Sequence, residues 1–198
     1  EILSAVGAKV RAIDRTSVEI DTRFVRACAS PYELARRFRG SYYILGAELG
    51  RFGRARSALP GGCDFGVRPI DRHIKGFEAL GARVEISDGC VCAYTDDKWL
   101  KGASVFMDDI SVGATINIML AAVRAEGTTV IDNPAREPHV VDCANFLNAC
   151  GANITGAGTD MIKIKGVPKL QGTTYTILPD MIEAGTYMAA ACAVDGSE

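Results

Sequence analysis

The chain reads as an α/β protein built from a repeated helix-and-hairpin unit, with sheets wrapped around buried helices, and three observations predict this. The first is a recurring signature, Gly7-Ala8-Lys9-Val10, Gly81-Ala82-Arg83-Val84 and Gly151-Ala152-Asn153-Ile154, its copies 74 and 70 residues apart. The second is that each signature follows apolar residues at helical spacing and precedes alternating segments split by turn residues. The third is a pair of apolar stretches, 110–123 and 184–194, that carry no charged residue. A helix without a charged face is normally enclosed on several sides.

The elements follow from these patterns in order. Segment 71–80 (DRHIKGFEAL) places Ile74, Phe77 and Leu80 three residues apart, and 137–150 repeats the pattern, so both read as amphipathic helices. Gly7, Gly81 and Gly151 then stand as the left-handed residues that stop the helices. Strands are expected at 83–86 and 90–94 around Ser87-Asp88-Gly89, and at 152–155 and 161–164 around Gly156-Ala157-Gly158. Further strands at 104–107 and 174–178 lead into second helices at 111–124 and 182–194, closed by Gly127 and Gly196. The first copy is fainter: a strand at 18–20, helices at 31–40 and 41–50, and a loop through Pro60-Gly61-Gly62. A strand at 128–131 follows the second copy.

Composition excludes several classes. The 198 residues are 48% apolar with 22 basic and 24 acidic side chains, which fits a globular chain and not a disordered tail. The longest unbroken apolar stretches, 118–123 and 188–194, are far shorter than the ~20 residues that span a bilayer. No charged-then-apolar leader is visible, and seven scattered cysteines fit a reducing compartment, so a cytoplasmic location is expected. Charge is unevenly spread. Residues 23–75 hold eleven basic residues, ten of them Arg, against four acids, a local balance of +7 that leaves −9 elsewhere. An arginine-rich region suits an anionic ligand with phosphate or carboxylate oxygens, although a solvated basic face accounts for it equally well.

The common nucleotide signatures GxxxxGK[ST] and GxGxxG are missing, as are CxxC and HExxH, so no metal or cofactor is expected. Cys28, Cys90, Cys92, Cys143, Cys150 and Cys192 lie in apolar-periodic contexts and read as core residues. Cys63 differs, because Leu59-Pro60-Gly61-Gly62 before it and Asp64-Phe65-Gly66-Val67-Arg68-Pro69 after it are loop formers. A thiol in a loop near cations ionises more readily and serves as nucleophile or proton donor; the competing reading is a free loop thiol without a task. Pro69 precedes Asp71, a candidate N-cap, and Arg68 and Arg72 flank that helix start. His73 follows as either a phosphate donor or a packing residue. Ser111 opens the charge-free helix in the same way, and capping alone explains it.

Three segments together carry a family resemblance: LPGGCDFGVRPIDRHIKGFEALGARV at 59–84, MDDISVGATINIMLAAVRAEGTTVIDNPAREP at 107–138 and LPDMIEAGTYMAAA at 178–191. They resemble the UDP-N-acetylglucosamine enolpyruvyl transferases of peptidoglycan synthesis, over nearly the whole chain. The resemblance implies two similar domains, each an inside-out α/β barrel of three units, with this chain covering most of the first. Its repeats would span about 1–58, 59–132 and 133–198. The remainder of the protein would complete the active site, so this chain alone is expected to be inactive. The implied partners are phosphoenolpyruvate and UDP-N-acetylglucosamine, without nucleic acid, membrane or cofactor. Position by position, Cys63 matches the loop proton donor, and Arg39 and Arg68 match substrate-binding arginines. Arg68, Pro69, Ile70, Asp71 and Arg72 match the segment that holds the uridine nucleotide. Asp109, Ile110, Ser111 and Val112 match a further nucleotide-sugar segment, with His73 a neighbour on the phosphate side.

Two positions depart from the pattern. Asp109 stands where some relatives carry Lys, and His139 where others have a second Glu after Arg-Glu-Pro. The sibling enolpyruvyl-shikimate-phosphate synthases share the implied fold and chemistry but generally lack Pro-Gly-Gly-Cys, so Cys63 favours the UDP-sugar branch. The alternatives are a transferase of that sibling type, a relative that only binds nucleotide sugar, and a nucleic-acid module using the +7 region with Tyr42 and Tyr43 as stacking groups.

Overall fold

A computed structural model describes residues 1–26, 30–59 and 70–194. The first unit comprises α1 (Ile2–Ala5), β1 (Lys9–Ala12) and β2 (Val18–Asp21), the two strands paired antiparallel. Next come α2 (Tyr32–Ala35), a 3₁₀ turn (Arg39–Tyr42), α3 (Tyr43–Phe52) and β3 (Arg54–Ala58). The second unit is α4 (Asp71–Ala79), β4 (Arg83–Ser87) and β5 (Cys90–Tyr94), followed by β6 (Ser104–Phe106), α5 (Val112–Ala122) and β7 (Thr128–Asp132). The third is α6 (Pro138–Ala149), β8 (Asn153–Thr155) and β9 (Met161–Lys165), with α7 (Met181–Ala193) last.

The three signatures share one local geometry. At Gly81 the chain turns left-handed (φ +88°), its N–H bonds Glu78 C=O, and Ala82 N–H bonds Phe77 C=O. This double closure satisfies the last helical carbonyls and needs a residue tolerant of positive φ, hence glycine. Gly7 and Gly151 repeat both bonds, to Ser4 and Leu3 and to Asn148 and Leu147. Each stop aims the chain into its hairpin. Sheet topology repeats as well: the strand preceding each helix pairs antiparallel with the second hairpin strand, giving the orders β3-β5-β4 and β7-β9-β8. β6 adds in parallel on the outer side of β7.

At the centre lies α5, nine of whose eleven residues are buried, so its lack of charge is explained by enclosure. It packs against α3, α4 and α6, and the core contains Leu45 and Leu49 of α3, Phe77 of α4, Ile118 and Met119 of α5, Val140 of α6, and Val91, Ile131, Ile162 and Ile164 of the strands. Each such side chain contributes roughly 1.5–3 kcal/mol of burial. Glycines set the α3–α5 distance: a Cβ on Gly50 would stand 2.7 Å from Leu120 O, so a larger residue would push the helices apart.

Several expectations are corrected. Helix 31–40 breaks into α2 and the 3₁₀ turn, because Phe38 adopts an extended backbone and Ser41 Oγ donates to Ala35 C=O across the break. Asp71 is not the N-cap of α4; Ile70 is, and Asp71 is the first helical residue, an acid placed at the positive helix end. Residues 174–178 form no strand, being tied to α6 through Tyr175 Oη, which donates to Asp142 Oδ1 at 2.7 Å. Gly127 is left-handed but introduces β7, since α5 already ends at Ala122. α7, charge-free after Glu183, is exposed along its whole length, unlike α5, because no neighbouring element of the described residues encloses it. Cys192 on α7 is therefore exposed, whereas Cys90 and Cys150 are buried and Cys92 and Cys143 half-buried. Cys28 and Gly196 lie outside the described residues.

Candidate active site

Two helix starts and one turn bring most of the expected site residues together. Ile70, Asp71, Arg72 and His73 open α4; Asp109, Ile110, Ser111 and Val112 lead into α5; Arg39 begins the 3₁₀ turn before α3. Cys63, Arg68 and Pro69 lie outside the described residues.

Ser111 is the N-cap of α5, its Oγ accepting from Ala114 N–H at 3.3 Å, as the sequence predicts. Val112 and Gly113 N–H then have no acceptor within the helix and mark a partly positive helix end. Thr115 locks the same turn from behind: its hydroxyl donates to Ser111 C=O at 2.8 Å and accepts from Ala135 N–H at 3.0 Å. Ile110 is exposed, while the Ile70 side chain is in the core, so only the Ile70 main chain is available to a ligand.

Arg72 on α4 forms an ion pair and hydrogen bond with Asp109, and Lys75 forms another with Asp108. These bonds cross from α4 to the segment before α5 and join the two helix starts. Asp109 thereby partly neutralises Arg72.

A second cluster surrounds Tyr42, a residue the sequence marks only as a possible stacking group. The Arg39 guanidinium lies 5.4 Å from the Tyr42 ring centroid, and the His73 ring meets it edge-on at 4.9 Å. His73 is almost fully buried. That burial, reinforced by the Arg39 and Arg72 charges, lowers its pKa from 6.5 to about 4, so the imidazole is neutral at pH 7. Its Nδ1 lies 3.0 Å from the side-chain nitrogen of Asn117, a residue that sequence reasoning missed. The signal was present, since Asn117 is the single amide in the charge-free run 110–123.

The arrangement can hold an anion with two guanidinium groups, a neutral imidazole donor and the N–H groups of a helix start. No cluster of three metal-ligating side chains occurs among the described residues, and none of their helices is long and apolar enough to cross a membrane.

Comparison with known proteins gives this arrangement its class. The chain superposes on the enolpyruvyl transferase NikO from Streptomyces tendae with a TM-score of 0.79 at 26% identity, covering 96% of this chain and 45% of that one. EPSP synthase from Acinetobacter baumannii has the same fold, at a TM-score of 0.68 and 22% identity. The chain belongs to the EPSP synthase (3-phosphoshikimate 1-carboxyvinyltransferase) family, whose model matches residues 1–198. Within it, the chain is 56% identical over 195 residues to UDP-N-acetylglucosamine 1-carboxyvinyltransferase 2 of Clostridium acetobutylicum. It is 55% identical over 195 residues to UDP-N-acetylglucosamine 1-carboxyvinyltransferase of Clostridium botulinum. Each alignment covers 98% of this chain but 46% of the relative, so the chain spans about half the length of the curated relatives it matches.

Proposed function

We propose that residues 1–198 are most of the first domain of a two-domain enolpyruvyl transferase acting on phosphoenolpyruvate and UDP-N-acetylglucosamine, with repeats near 1–58, 59–132 and 133–198. The observation that carries this reading is the convergence of Arg39 and His73 on Tyr42 at the start of α4, with the Arg72 charge acting on His73, immediately after the segment containing Cys63. The names of relatives above 50% identity support the same substrates.

In this reading a base of the second domain takes the proton of the sugar 3′-hydroxyl as its oxygen adds to C2 of phosphoenolpyruvate, while Cys63 delivers a proton to C3. The tetrahedral intermediate then loses phosphate from C2 and a proton from C3, leaving the enolpyruvyl ether. Both steps need an anion clamp and a positioned acid. Arg39 and Arg68 supply charge toward phosphoenolpyruvate. The 68–73 and 109–112 segments hold the nucleotide sugar, with the Ile70 contribution confined to its main chain. The second domain completes the site, so the 198-residue chain alone turns over no substrate. The reaction is the first committed step of peptidoglycan synthesis and places the enzyme in the cytoplasm, off the membrane and independent of nucleic acid.

Phosphate release by the full-length protein given both substrates tests the activity, and no release would exclude it. Mass spectrometry after fosfomycin, an epoxide phosphonate, is expected to find one adduct, on Cys63, that is absent from Cys63→Ser. Labelling elsewhere, or none in an active enzyme, would remove Cys63 from its role. Arg68→Ala is expected to lower turnover strongly, and near-normal kinetics would refute its assignment.

A further inference from the structure

Asn117 is fully buried in the middle of α5 and makes three side-chain hydrogen bonds. Its Oδ1 accepts from Gly46 N–H at 2.7 Å, and its Nδ2 donates to Tyr42 C=O at 2.9 Å. Both partners are main-chain groups with one possible role each: an N–H only donates and a C=O only accepts. Flipping the amide would set NH₂ against N–H and oxygen against oxygen, so the orientation is determined by chemistry. The second Nδ2 hydrogen is then left for His73 Nδ1 at 3.0 Å. That nitrogen must accept through its lone pair, and in a neutral imidazole the proton consequently resides on Nε2. An Nδ1–H tautomer or an imidazolium would put two donors face to face in a buried site.

We propose that Asn117 is a positioning residue that holds His73 as the neutral Nε2–H tautomer, so that His73 offers a hydrogen-bond donor to the anionic ligand flanked by Arg39 and Arg72. The ligand in this statement rests on the proposed function, whereas the tautomer does not. Among the described residues no group bonds His73 Nε2, which leaves its N–H for a phosphate or carboxylate oxygen. The charged surroundings agree. Arg72, Lys75 and Asp71 share its helix, Arg39 faces it from the 3₁₀ turn, and Asp108 and Asp109 are engaged with Lys75 and Arg72. α5 brings no charge, only Asn117 and Thr115, so this helix offers no carboxylate to stabilise a protonated ring. A neutral donor keeps its function across the range where a free histidine would titrate.

The test uses full-length protein with ¹⁵N-labelled histidine and long-range proton–nitrogen correlation at pH 7, His73 being assigned by its disappearance in His73→Gln. The wild-type spectrum is expected to show unprotonated Nδ1 and protonated Nε2. Asn117→Asp preserves shape but presents an oxygen to Nδ1, so His73 is expected to switch to Nδ1–H or to imidazolium. The kcat/KM for UDP-N-acetylglucosamine is expected to fall about ten- to a hundredfold, the worth of one hydrogen bond to a charged group. An Nδ1–H or charged His73 in the wild type overturns the proposal even if Asn117→Asp does not fold. An unchanged tautomer in folded Asn117→Asp overturns it too, as does a Nε2 signal unmoved by either substrate in an enzyme that releases phosphate. If the wild type shows the Nε2–H form and Asn117→Asp switches it, but no phosphate is released, Asn117 keeps its role toward His73 and the proposed activity fails.

Discussion

Gly46 of α3 lies against Asn117 of α5 so closely that its N–H donates to Asn117 Oδ1 at 2.7 Å, and a Cβ on Gly46 would stand 2.3 Å from that same oxygen. Gly46→Ala would therefore force the two helices apart and break a buried hydrogen bond together. A loss on the order of 2–4 kcal/mol is expected from urea denaturation, and a change under about 0.5 kcal/mol would contradict this contact.

Glu48, two residues further along α3, is 5% exposed, and neither carboxyl oxygen has a hydrogen-bond partner among the described residues. Burial raises its pKa from 4.5 to about 7. The folded state thus keeps a proton that the unfolded state loses, so Glu48 lowers stability as pH rises from about 4.5 to 7, by up to on the order of 3 kcal/mol. His73 acts in the opposite sense. Its folded pKa of about 4 lies below 6.5, so the unfolded state binds the extra proton and stability is lost as pH falls from about 6.5 to 4. Asp14 and Asp21 have lowered pKa values and act only at lower pH. The two buried groups therefore oppose each other between about pH 4.5 and 6.5. Denaturation midpoints of the wild type should be nearly flat there, whereas Glu48→Gln should gain stability as pH rises; parallel profiles would rule out the buried proton.

Arg124 ties three segments together. Its guanidinium lies 4.1 Å from the Trp99 ring centroid and donates to Arg51 C=O and Pro168 C=O, both at 3.3 Å. A lysine keeps the charge but lacks the flat stacking group and the fork of donors. Arg124→Lys should cost about 1–2 kcal/mol in thermal or urea unfolding, while Lys98→Ala, 5.7 Å from the same ring, should stay within about 0.5 kcal/mol. Equal effects would deny Arg124 this role.

Ser111→Ala removes the hydroxyl that caps α5. A loss of about 1 kcal/mol is expected. Isothermal titration with UDP-N-acetylglucosamine then separates capping from ligand contact, because a cap alone changes stability while leaving affinity intact in the folded fraction.

Periodicity and glycine placement made the repeated unit legible before any contact was known. A helix stop at Gly7, Gly81 or Gly151 is a local event, requiring a left-handed residue and two nearby main-chain bonds, so it is written in adjacent residues. The same holds for the Ser111 cap and the hairpins around Gly89 and Gly158. Burial is not local. The runs 110–123 and 184–194 look alike, yet α5 is enclosed by three helices and α7 stands exposed, because enclosure depends on neighbours distant in the chain.

The candidate site divides along the same line. Sequence by itself picked out Arg72, His73 and Ser111, because an arginine, a histidine and a hydroxyl at helix starts are residue types that anion recognition uses, while Arg39 and the rest of the 109–112 segment were marked by the family resemblance. Tertiary structure alone decided that Asp109 would neutralise Arg72, that Ile70 would turn into the core, and that Asn117 would meet His73 across 44 positions. The physical reason is that a charge, a proton position and a tautomer are set by what lies within about 3 Å, and the groups at that distance come from α3, α4 and α5, which only folding brings together.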